Sequence, residues 1–235
     1  MKTLTALFAC CFAFISTAQI STIEKQALID FFNSTNGSEW FTSWDLEQPE
    51  TTWHGVSIVD NKVVAIELGF NNLQGEIPAT IGNLENLETL KLFFNQIGGT
   101  LPDEIGNLKN LKVLDLNSNS ISGTLPSSIE NLENLEYLLL SSNNLTGMLP
   151  SEIGSLSNLK TLVLFDNHFF GDFPYAISKL NNLNELIIAN NNFNSESMQT
   201  SLASLSAKGI KVDFGELKIN TTNSEIATLV VDEED

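Results

Sequence analysis

The chain has 235 residues, of which 42% are hydrophobic and 17% are charged, so it is long enough to bury a sizeable core. It carries 29 acidic residues against 11 basic ones, a formal net charge of −18, and every basic residue is a lysine. Such an acidic chain repels polyanions, and without arginine it lacks the guanidinium fork that binds phosphate or guanine bidentately. The composition argues against nucleic acid and anionic membrane surfaces as partners.

The first 18 residues have the features of a secretory signal peptide. Lys2 supplies a positive charge, an apolar stretch too short to span a bilayer follows, and small residues end at Ala18. We expect cleavage after Ala18 and a secreted, periplasmic or cell-surface location. Cys10 and Cys11 lie in this segment, so the mature chain is expected to have neither a disulfide nor a thiolate nucleophile. No later stretch is long and apolar enough for a transmembrane helix.

A period of 24 residues runs through most of the chain. Within one repeat, Leu90-x-Leu92 alternates like a short strand with one buried face, and a glycine and a proline then end the strand. The amide of the repeating asparagine can bond backbone groups of neighbouring coils. One such unit cannot bury its own leucines, so the pattern predicts a solenoid of stacked units. The asparagines are Asn71, Asn95, Asn119, Asn143, Asn167 and Asn191.

These repeats resemble the 24-residue, plant-type subclass of leucine-rich repeats, over residues 63–194 in six copies. The resemblance implies an α/β solenoid, a right-handed superhelix whose strands form a parallel sheet on the concave face. It also implies short strands or 3₁₀ segments on the convex side. Trp53-His54-Gly55-Val56 is similar to the N-terminal cap motif of plant members. The cysteines that staple those plant caps are absent here, which points to a bacterial secreted member.

The flanking segments are expected to cap the solenoid. The predicted division is a signal peptide at 1–18, an N-terminal helical cap at 19–62, repeats at 63–194, a C-terminal helix–strand cap at 195–216 and an acidic tail at 217–235. A first helix, from about Thr22 to Phe32, would begin at a capping box and bury Ile23 with the residues that follow it on the same face. A second helix would be capped by Ser195 and stopped by Gly209.

Aromatic residues of the N-terminal cap are expected to cover the first coil of the solenoid. They are Trp40, Phe41, Trp44 and Trp53.

Few residues in the sequence could support catalysis. His54 lies in the cap motif and His168 in a turn, where a dyad of His168 with Asp166 is conceivable but two exposed turn residues are the simpler interpretation. The chain has no His-Glu-x-x-His motif, no phosphate loop and no cysteine metal site. We therefore expect a protein that is not an enzyme and that has no cofactor, catalytic residue or metal site.

Large apolar residues at solvent-facing strand positions are the strongest functional signal. The fold does not require them there, and exposed apolar patches and aromatics mark contact sites. Alternatively, the rings fold over neighbouring strands and only stabilise the sheet. The candidate ligand-binding residues are Phe70, Phe93, Phe94, Tyr137, Leu139 and Phe165.

The sequence thus predicts an exported, monomeric module that binds a protein partner through its concave face. Two alternatives from other classes remain open, which are recognition of a glycan or surface polymer and a structural, self-associating surface protein. An enzyme that depends on His168 is the weakest alternative.

Overall fold

The computed structural model describes residues 19–215. The predicted signal peptide, with Cys10 and Cys11, and the acidic tail lie outside the described residues. Two α-helices, α1 (Thr22–Ser34) and α2 (Ser195–Ala207), flank the repeats. The strands are β1 (Val56–Val59), β2 (Lys62–Glu67), β3 (Gln74–Glu76), β4 (Thr89–Lys91), β5 (Gln96–Gly98), β6 (Val113–Asp115), β7 (Ser122–Gly123), β8 (Tyr137–Leu139), β9 (Asn144–Gly147), β10 (Thr161–Val163), β11 (His168–Gly171), β12 (Glu185–Ile187), β13 (Asn192–Phe193) and β14 (Lys211–Asp213).

The main sheet contains one strand from each coil. Its order is β1-β2-β4-β6-β8-β10-β12-β14, and every pair from β2 to β14 is parallel. Equivalent residues pair directly, as Leu90 does with Leu114 and Leu138 with Leu162. We call the outward side of this sheet the concave face. The fold is the parallel solenoid that the repeat predicts.

The main sheet begins with an antiparallel strand that the repeat pattern does not reveal. β1 pairs antiparallel with β2 through a tight turn at Asp60 and Asn61, whose φ angles are 49° and 61°. Two consecutive left-handed residues are the signature of a type I′ hairpin turn. The sheet is therefore parallel except at this first edge.

The convex side consists of short strands followed by 3₁₀ segments. Small parallel pairings join β3 to β5, β7 to β9, β9 to β11 and β11 to β13. Each repeating proline immediately precedes a 3₁₀ segment, where its missing N–H removes no helical hydrogen bond. The five segments are Ala79–Asn83, Asp103–Asn107, Ser127–Asn131, Ser151–Ser155 and Tyr175–Lys179, and two further 3₁₀ turns, Gly37–Glu39 and Glu50–Thr52, precede β1.

The repeating asparagine amides join the coils. The Oδ1 atom of Asn143 accepts a hydrogen bond from the backbone N–H of Ile121 at 3.0 Å. Its Nδ2 atom donates to the carbonyl oxygens of Leu116 at 2.9 Å and Leu140 at 3.1 Å. The same three kinds of partner recur at Asn119, Asn167 and Asn191. Each amide thus satisfies buried backbone groups on both its own coil and the preceding one.

The repeating glycine is required by both conformation and space. Gly123 has a φ of +74°, and a Cβ atom built on it would lie 2.8 Å from Cγ2 of Thr100 in the preceding repeat. A side chain at this position would therefore be strained and would also clash with the neighbouring coil.

The N-terminal helix differs from the prediction in the face that it buries. Ser21 and Glu24 form the expected capping box. Glu24, however, is buried, and its Oε1 atom accepts a hydrogen bond from the backbone N–H of Val63 at 3.2 Å, which links the helix to the first repeat. Ile23 is 61% exposed. The prediction that Ile23 is buried was wrong, because the buried carboxylate occupies the side of the helix that faces the sheet.

The aromatic residues before the first repeat are divided between core and surface. Trp40, Trp44 and Trp53 are buried, and the ring centroids of Trp44 and Trp53 lie 4.9 Å apart in a stack. Phe41 is 78% exposed, so it does not cover the first coil as the sequence suggested. At the other end, the side chain of Asn194, not Ser195, caps α2 by accepting from the N–H of Glu196.

We predict that Asn143→Ala destabilises the fold by about 3 kcal/mol, because it leaves several buried backbone groups without partners. Urea unfolding followed by far-ultraviolet circular dichroism measures the difference. Asn144→Ala is the matched control, since Asn144 is the next residue and is exposed. It should change the unfolding free energy by no more than about 0.5 kcal/mol. Equal losses in the two variants would contradict a structural role for the amide.

Candidate functional site

The concave face is made of the side chains that flank the buried middle residue of each strand. In β4, Leu90 is fully buried, while Thr89 and Lys91 are half-buried. Because the strands pair in register, equivalent residues of successive repeats form rows across the sheet, about 4.8 Å apart. A ligand that lies across the strands therefore meets one residue of each repeat in turn.

Three aromatic residues of the first two repeats form the phenylalanine cluster, which we define as Phe70, Phe93 and Phe94. The rings of Phe70 and Phe94 stack with centroids 4.5 Å apart and 9° between their planes. The ring of Phe93 meets that of Phe70 edge-on, at 5.3 Å and 89°. All three residues follow the ends of β2 and β4, so they line the rim of the concave face and not its centre.

The rings of the phenylalanine cluster differ in their surroundings. A Cβ atom on Gly69 would lie 2.6 Å from Cζ of Phe93, so this ring lies directly on the backbone of the preceding repeat. Phe93 is accordingly half-buried. Phe70 and Phe94 remain 60% and 53% exposed. Phe93 thus makes the cross-strand packing contact that the sequence left open, while the other two rings form an exposed apolar surface.

Phe70 and Phe94 also adopt an unfavourable backbone conformation. Their φ angles are 57° and 52°, in the left-handed region that bulky residues rarely enter. The equivalent residues of the four later repeats have the same conformation and are small or polar, as is usual there. They are Ser118, Ser142, Asp166 and Asn190.

The second apolar area lies in the later repeats. Leu139, Val163 and Ile187 pair in register on β8, β10 and β12, and we call them the apolar row. All three are half-buried. Tyr137, at the other end of β8, is 37% exposed, and Phe165 is half-buried just beyond the end of β10. The six candidate residues therefore form two separate groups and not one continuous patch.

Lysine–glutamate pairs connect successive repeats on and beside the main sheet. The Nζ atom of Lys91 lies 2.8 Å from Oε1 of Glu67, one repeat earlier. Lys112, Lys160 and Lys211 pair in the same way with glutamates of the preceding repeat, at 2.6 to 2.9 Å. These pairs are solvent-exposed, so each contributes at most about 1 kcal/mol to stability. The ammonium groups of these four lysines are thus each paired with a glutamate carboxylate.

Asp115, on the concave face, has a carboxyl group whose pKa differs from its usual value. It lies on β6, in register with Lys91 on one side and Leu139 on the other. Burial raises the pKa of its carboxyl, although a hydrogen bond from the N–H of Asn117, at 3.1 Å, and the charge of Lys91 both oppose this shift. Its charged form is therefore less favourable here than in water.

The two histidines are exposed, at positions 54 and 168. Within residues 19–215, no group of three or more His, Cys, Asp or Glu side chains is arranged to hold a metal ion. A shallow depression of about 430 Å³ has a polar lining to which no strand of the main sheet contributes. Its lining residues are Glu85, Asn86, Asn107, Lys109 and Asn110.

Sequence reasoning missed one residue next to the phenylalanine cluster. The backbone N–H of Phe41 donates to the carbonyl oxygen of Asn71 at 3.1 Å, which places Phe41 beside the turn that carries Phe70. Its side chain is the most exposed of the large hydrophobic residues described. The repeat pattern could not reveal Phe41, because this residue precedes the first repeat.

We predict that Gly69→Ala destabilises the protein by about 1 kcal/mol, because the new methyl group displaces the ring of Phe93. Urea unfolding measures the change, and nuclear magnetic resonance reports the altered ring contacts. Gly98→Ala is the control, since its added Cβ would have no neighbour closer than 3.9 Å. If both variants unfold at the same urea concentration, the ring does not lie on Gly69.

We predict that Asp115→Asn raises the melting temperature at neutral pH. The raised pKa means that folding disfavours the charged carboxyl, so a neutral side chain of the same shape removes a penalty. The gain should fade as the pH falls through the raised pKa, because the wild-type carboxyl then becomes neutral as well. Thermal unfolding between pH 3 and pH 7 tests this. A variant that is less stable than wild type at pH 7 would contradict it.

Solved structures similar to this chain include plant receptor ectodomains. The Arabidopsis receptor kinase HAESA, in complex with the peptide hormone IDA and the co-receptor SERK1, matches with a TM-score of 0.72 and 28% identity, over 83% of this chain and 33% of that one. The PEPR1–AtPEP1 complex matches with a TM-score of 0.67 and 27% identity, over 72% of this chain and 25% of that one. This chain thus spans only a quarter to a third of those two.

A shorter ectodomain and a family model match over more of their own length. The ectodomain of the receptor kinase SOBIR1 from Arabidopsis thaliana matches with a TM-score of 0.60 and 29% identity, over 70% of this chain and 90% of that one. A family model described as a leucine-rich repeat region matches residues 72–228. The chain therefore belongs to the leucine-rich repeat family, and its repeats are of the plant type.

Proposed function

We propose that this chain is an exported, non-enzymatic binding module that holds a segment of a protein partner against its concave face. The observation that carries this proposal is the pair of exposed phenylalanines in left-handed backbone conformation, Phe70 and Phe94. Backbone strain is often found at ligand-binding sites, and exposed apolar residues often mark contact surfaces. The two phenylalanines have both features.

The later repeats support binding over a purely structural role for these two rings. A left-handed conformation costs roughly 1–2 kcal/mol for each non-glycine residue, and less for asparagine or aspartate. The ring pairs among Phe70, Phe93 and Phe94 contribute about 0.5–1.5 kcal/mol each, which is comparable to the strain at two positions. The equivalent turns at Asp166 and Asn190 form without an aromatic ring, so the turn itself does not require a phenylalanine.

The matched receptors support a protein ligand. Their structures include HAESA in complex with a peptide hormone and PEPR1 in complex with AtPEP1. The six candidate residues, Phe70, Phe93, Phe94, Tyr137, Leu139 and Phe165, would supply the contacts on this chain. The apolar row would add a second, separate apolar area in the later repeats.

Export is supported by the sequence of the first 18 residues, which predicts a signal peptide cleaved after Ala18. Within residues 19–215, neither helix has the length and hydropathy of a membrane-spanning segment. A bacterial secreted origin is supported by the N-terminal cap motif without cysteines. We place the protein outside the cytoplasm, acting as a monomer that has no catalytic residue or cofactor of its own.

We predict that the double variant Phe70→Asn, Phe94→Asn loses its partner without losing stability. Asparagine tolerates the left-handed conformation, so the melting temperature should be unchanged or higher. Affinity capture from the secreted and surface fraction of the native host, quantified by mass spectrometry, should show at least about tenfold less of the specific protein.

The control for this experiment is Phe170→Asn. Phe170 is 50% exposed on β11, outside the main sheet, and its removal should leave capture intact. Equal capture by the wild type and the double variant would show that this surface is not the binding site. Retention of a polysaccharide in place of a protein would favour the glycan alternative.

A further inference from the structure

We propose that the phenylalanine cluster binds an aromatic side chain of the partner, stacked on the face of the Phe94 ring that is directed toward Ser118. The inference rests on the proposed function and names the chemical class of the group that this surface accepts. Three observations carry it, which are the existing ring stack, the turns that hold it, and the point at which the stack stops.

The stack of Phe70 and Phe94 follows the repeat of the solenoid. The two residues occupy equivalent positions in successive repeats, and their ring centroids lie 4.5 Å apart with 9° between the ring planes. Neighbouring strands of a sheet are about 4.8 Å apart, which is close to this centroid distance. The rings are therefore stacked roughly along the direction in which the coils follow one another. A third ring of the same series would belong to the next coil.

The next coil has the same turn but no ring. Ser118 has a φ of 55°, close to the 52° of Phe94. The backbone N–H of Phe70 donates to the carbonyl oxygen of Phe93 at 3.0 Å, and the N–H of Phe94 donates in the same way to Asn117 at 2.9 Å. The step from Phe94 to Ser118 is thus built like the step from Phe70 to Phe94. We call the space over Ser118 and against the Phe94 ring the stacking gap.

The side chain of Asn117 is held away from the stacking gap. Asn117 is equivalent to Phe93, whose ring lies back on Gly69 of the preceding repeat. The Oδ1 atom of Asn117 instead accepts hydrogen bonds from the N–H and the hydroxyl of Ser141 in the following repeat, at 2.7 and 2.6 Å. This side chain is therefore directed toward the following coil and not over the ring of Phe94.

The ring of Phe94 accordingly keeps one accessible face. Among residues 19–215, the rings that neighbour it are Phe70, stacked on one face, and Phe93, edge-on at 6.2 Å and 81°. The residue remains exposed. Aromatic pairs are favourable with centroids about 4.5–7 Å apart. A ligand ring in the stacking gap would lie within this distance of Phe94 and would continue the stack by one member.

The cluster is already ordered before a ligand ring arrives. Phe93 meets both Phe70 and Phe94 edge-on, at 5.3 and 6.2 Å, and is itself packed on Gly69. A ring that is fixed by its neighbours loses little side-chain entropy when a further ring binds to it. The gain from stacking is therefore retained as affinity for the ligand ring.

Two small probes of similar shape test the inference with the purified chain. They are N-acetyl-phenylalanine amide and N-acetyl-cyclohexylalanine amide, whose saturated ring has at least as much apolar area as the phenyl ring. Titration by nuclear magnetic resonance gives both dissociation constants and locates the bound ring. We expect the phenyl probe to bind about two- to tenfold more tightly than the cyclohexyl probe, because stacking favours an aromatic ring beyond its buried area. Its largest shifts should be at Phe94 and Ser118.

Ser118→Leu should abolish this preference, because the leucine side chain would fill the stacking gap and cover the Phe94 ring. Ser142→Leu is the matched control. Ser142 has the same left-handed conformation, with a φ of 52°, but lies two coils from Phe94. Backbone strain from the new leucine is therefore the same in both variants, and Ser142→Leu should keep the wild-type preference. Far-ultraviolet circular dichroism confirms that both variants are folded.

The outcomes separate this inference from the proposed function. If the wild type binds the cyclohexyl probe as tightly as the phenyl probe, the surface does not select aromatic groups and the inference is wrong. If the preference survives in Ser118→Leu, the ring binds elsewhere and the inference is also wrong. It is equally wrong if neither probe shifts resonances of the phenylalanine cluster at millimolar concentration. In each case, capture of a host protein by the wild type and its loss in Phe70→Asn, Phe94→Asn would still support the proposed function.

Discussion

Every coil of this solenoid depends on the pairing of backbone groups at the point where its strand turns away from the main sheet. A turn inside a packed stack removes backbone N–H and carbonyl groups from water. Because these groups are outside the sheet, no neighbouring strand supplies all of their hydrogen bonds. The repeating asparagine supplies both a donor and an acceptor at that point, as Asn143 does for Ile121, Leu116 and Leu140. The leucines provide the larger favourable free energy, and they pair in the same 24-residue register as the asparagines. The amide bonds join each coil to the one before it in that register.

Because the asparagines and leucines hold the stack together, the concave face is free to vary. One row carries glutamate, lysine and aspartate in the early repeats and leucine, valine and isoleucine in the later ones, on an unchanged backbone. Such variation is what a binding surface requires, since rigid strands present each side chain at a set spacing. The two strained phenylalanines show that the variation extends even to residues that the backbone disfavours.

Asp115 and the phenylalanine pair share one property, which is that each is locally unfavourable in the free protein. Burial disfavours the charge of Asp115, and left-handed backbone disfavours a bulky ring at Phe70 and Phe94. Stability and binding often conflict in this way, because a surface that is fully satisfied on its own has little to gain from a ligand. The adjacent lysine–glutamate pairs show the opposite behaviour, with each charge partnered inside the chain.

The sequence by itself determined the solenoid, since a strict period of asparagine, glycine, proline and leucine has one physical solution, which is to stack identical coils. It also identified large apolar residues on the outward face. Only the tertiary structure decided the features that depend on contacts between distant segments. It buried Glu24 against Val63 and left Ile23 exposed, placed Phe93 on Gly69, and brought Phe41 beside the first repeat. A periodic pattern specifies which face a residue occupies within its own coil. It carries no information about which side chains of the neighbouring coils lie against that residue. Those contacts determine whether the residue is buried and how favourable its charged form is.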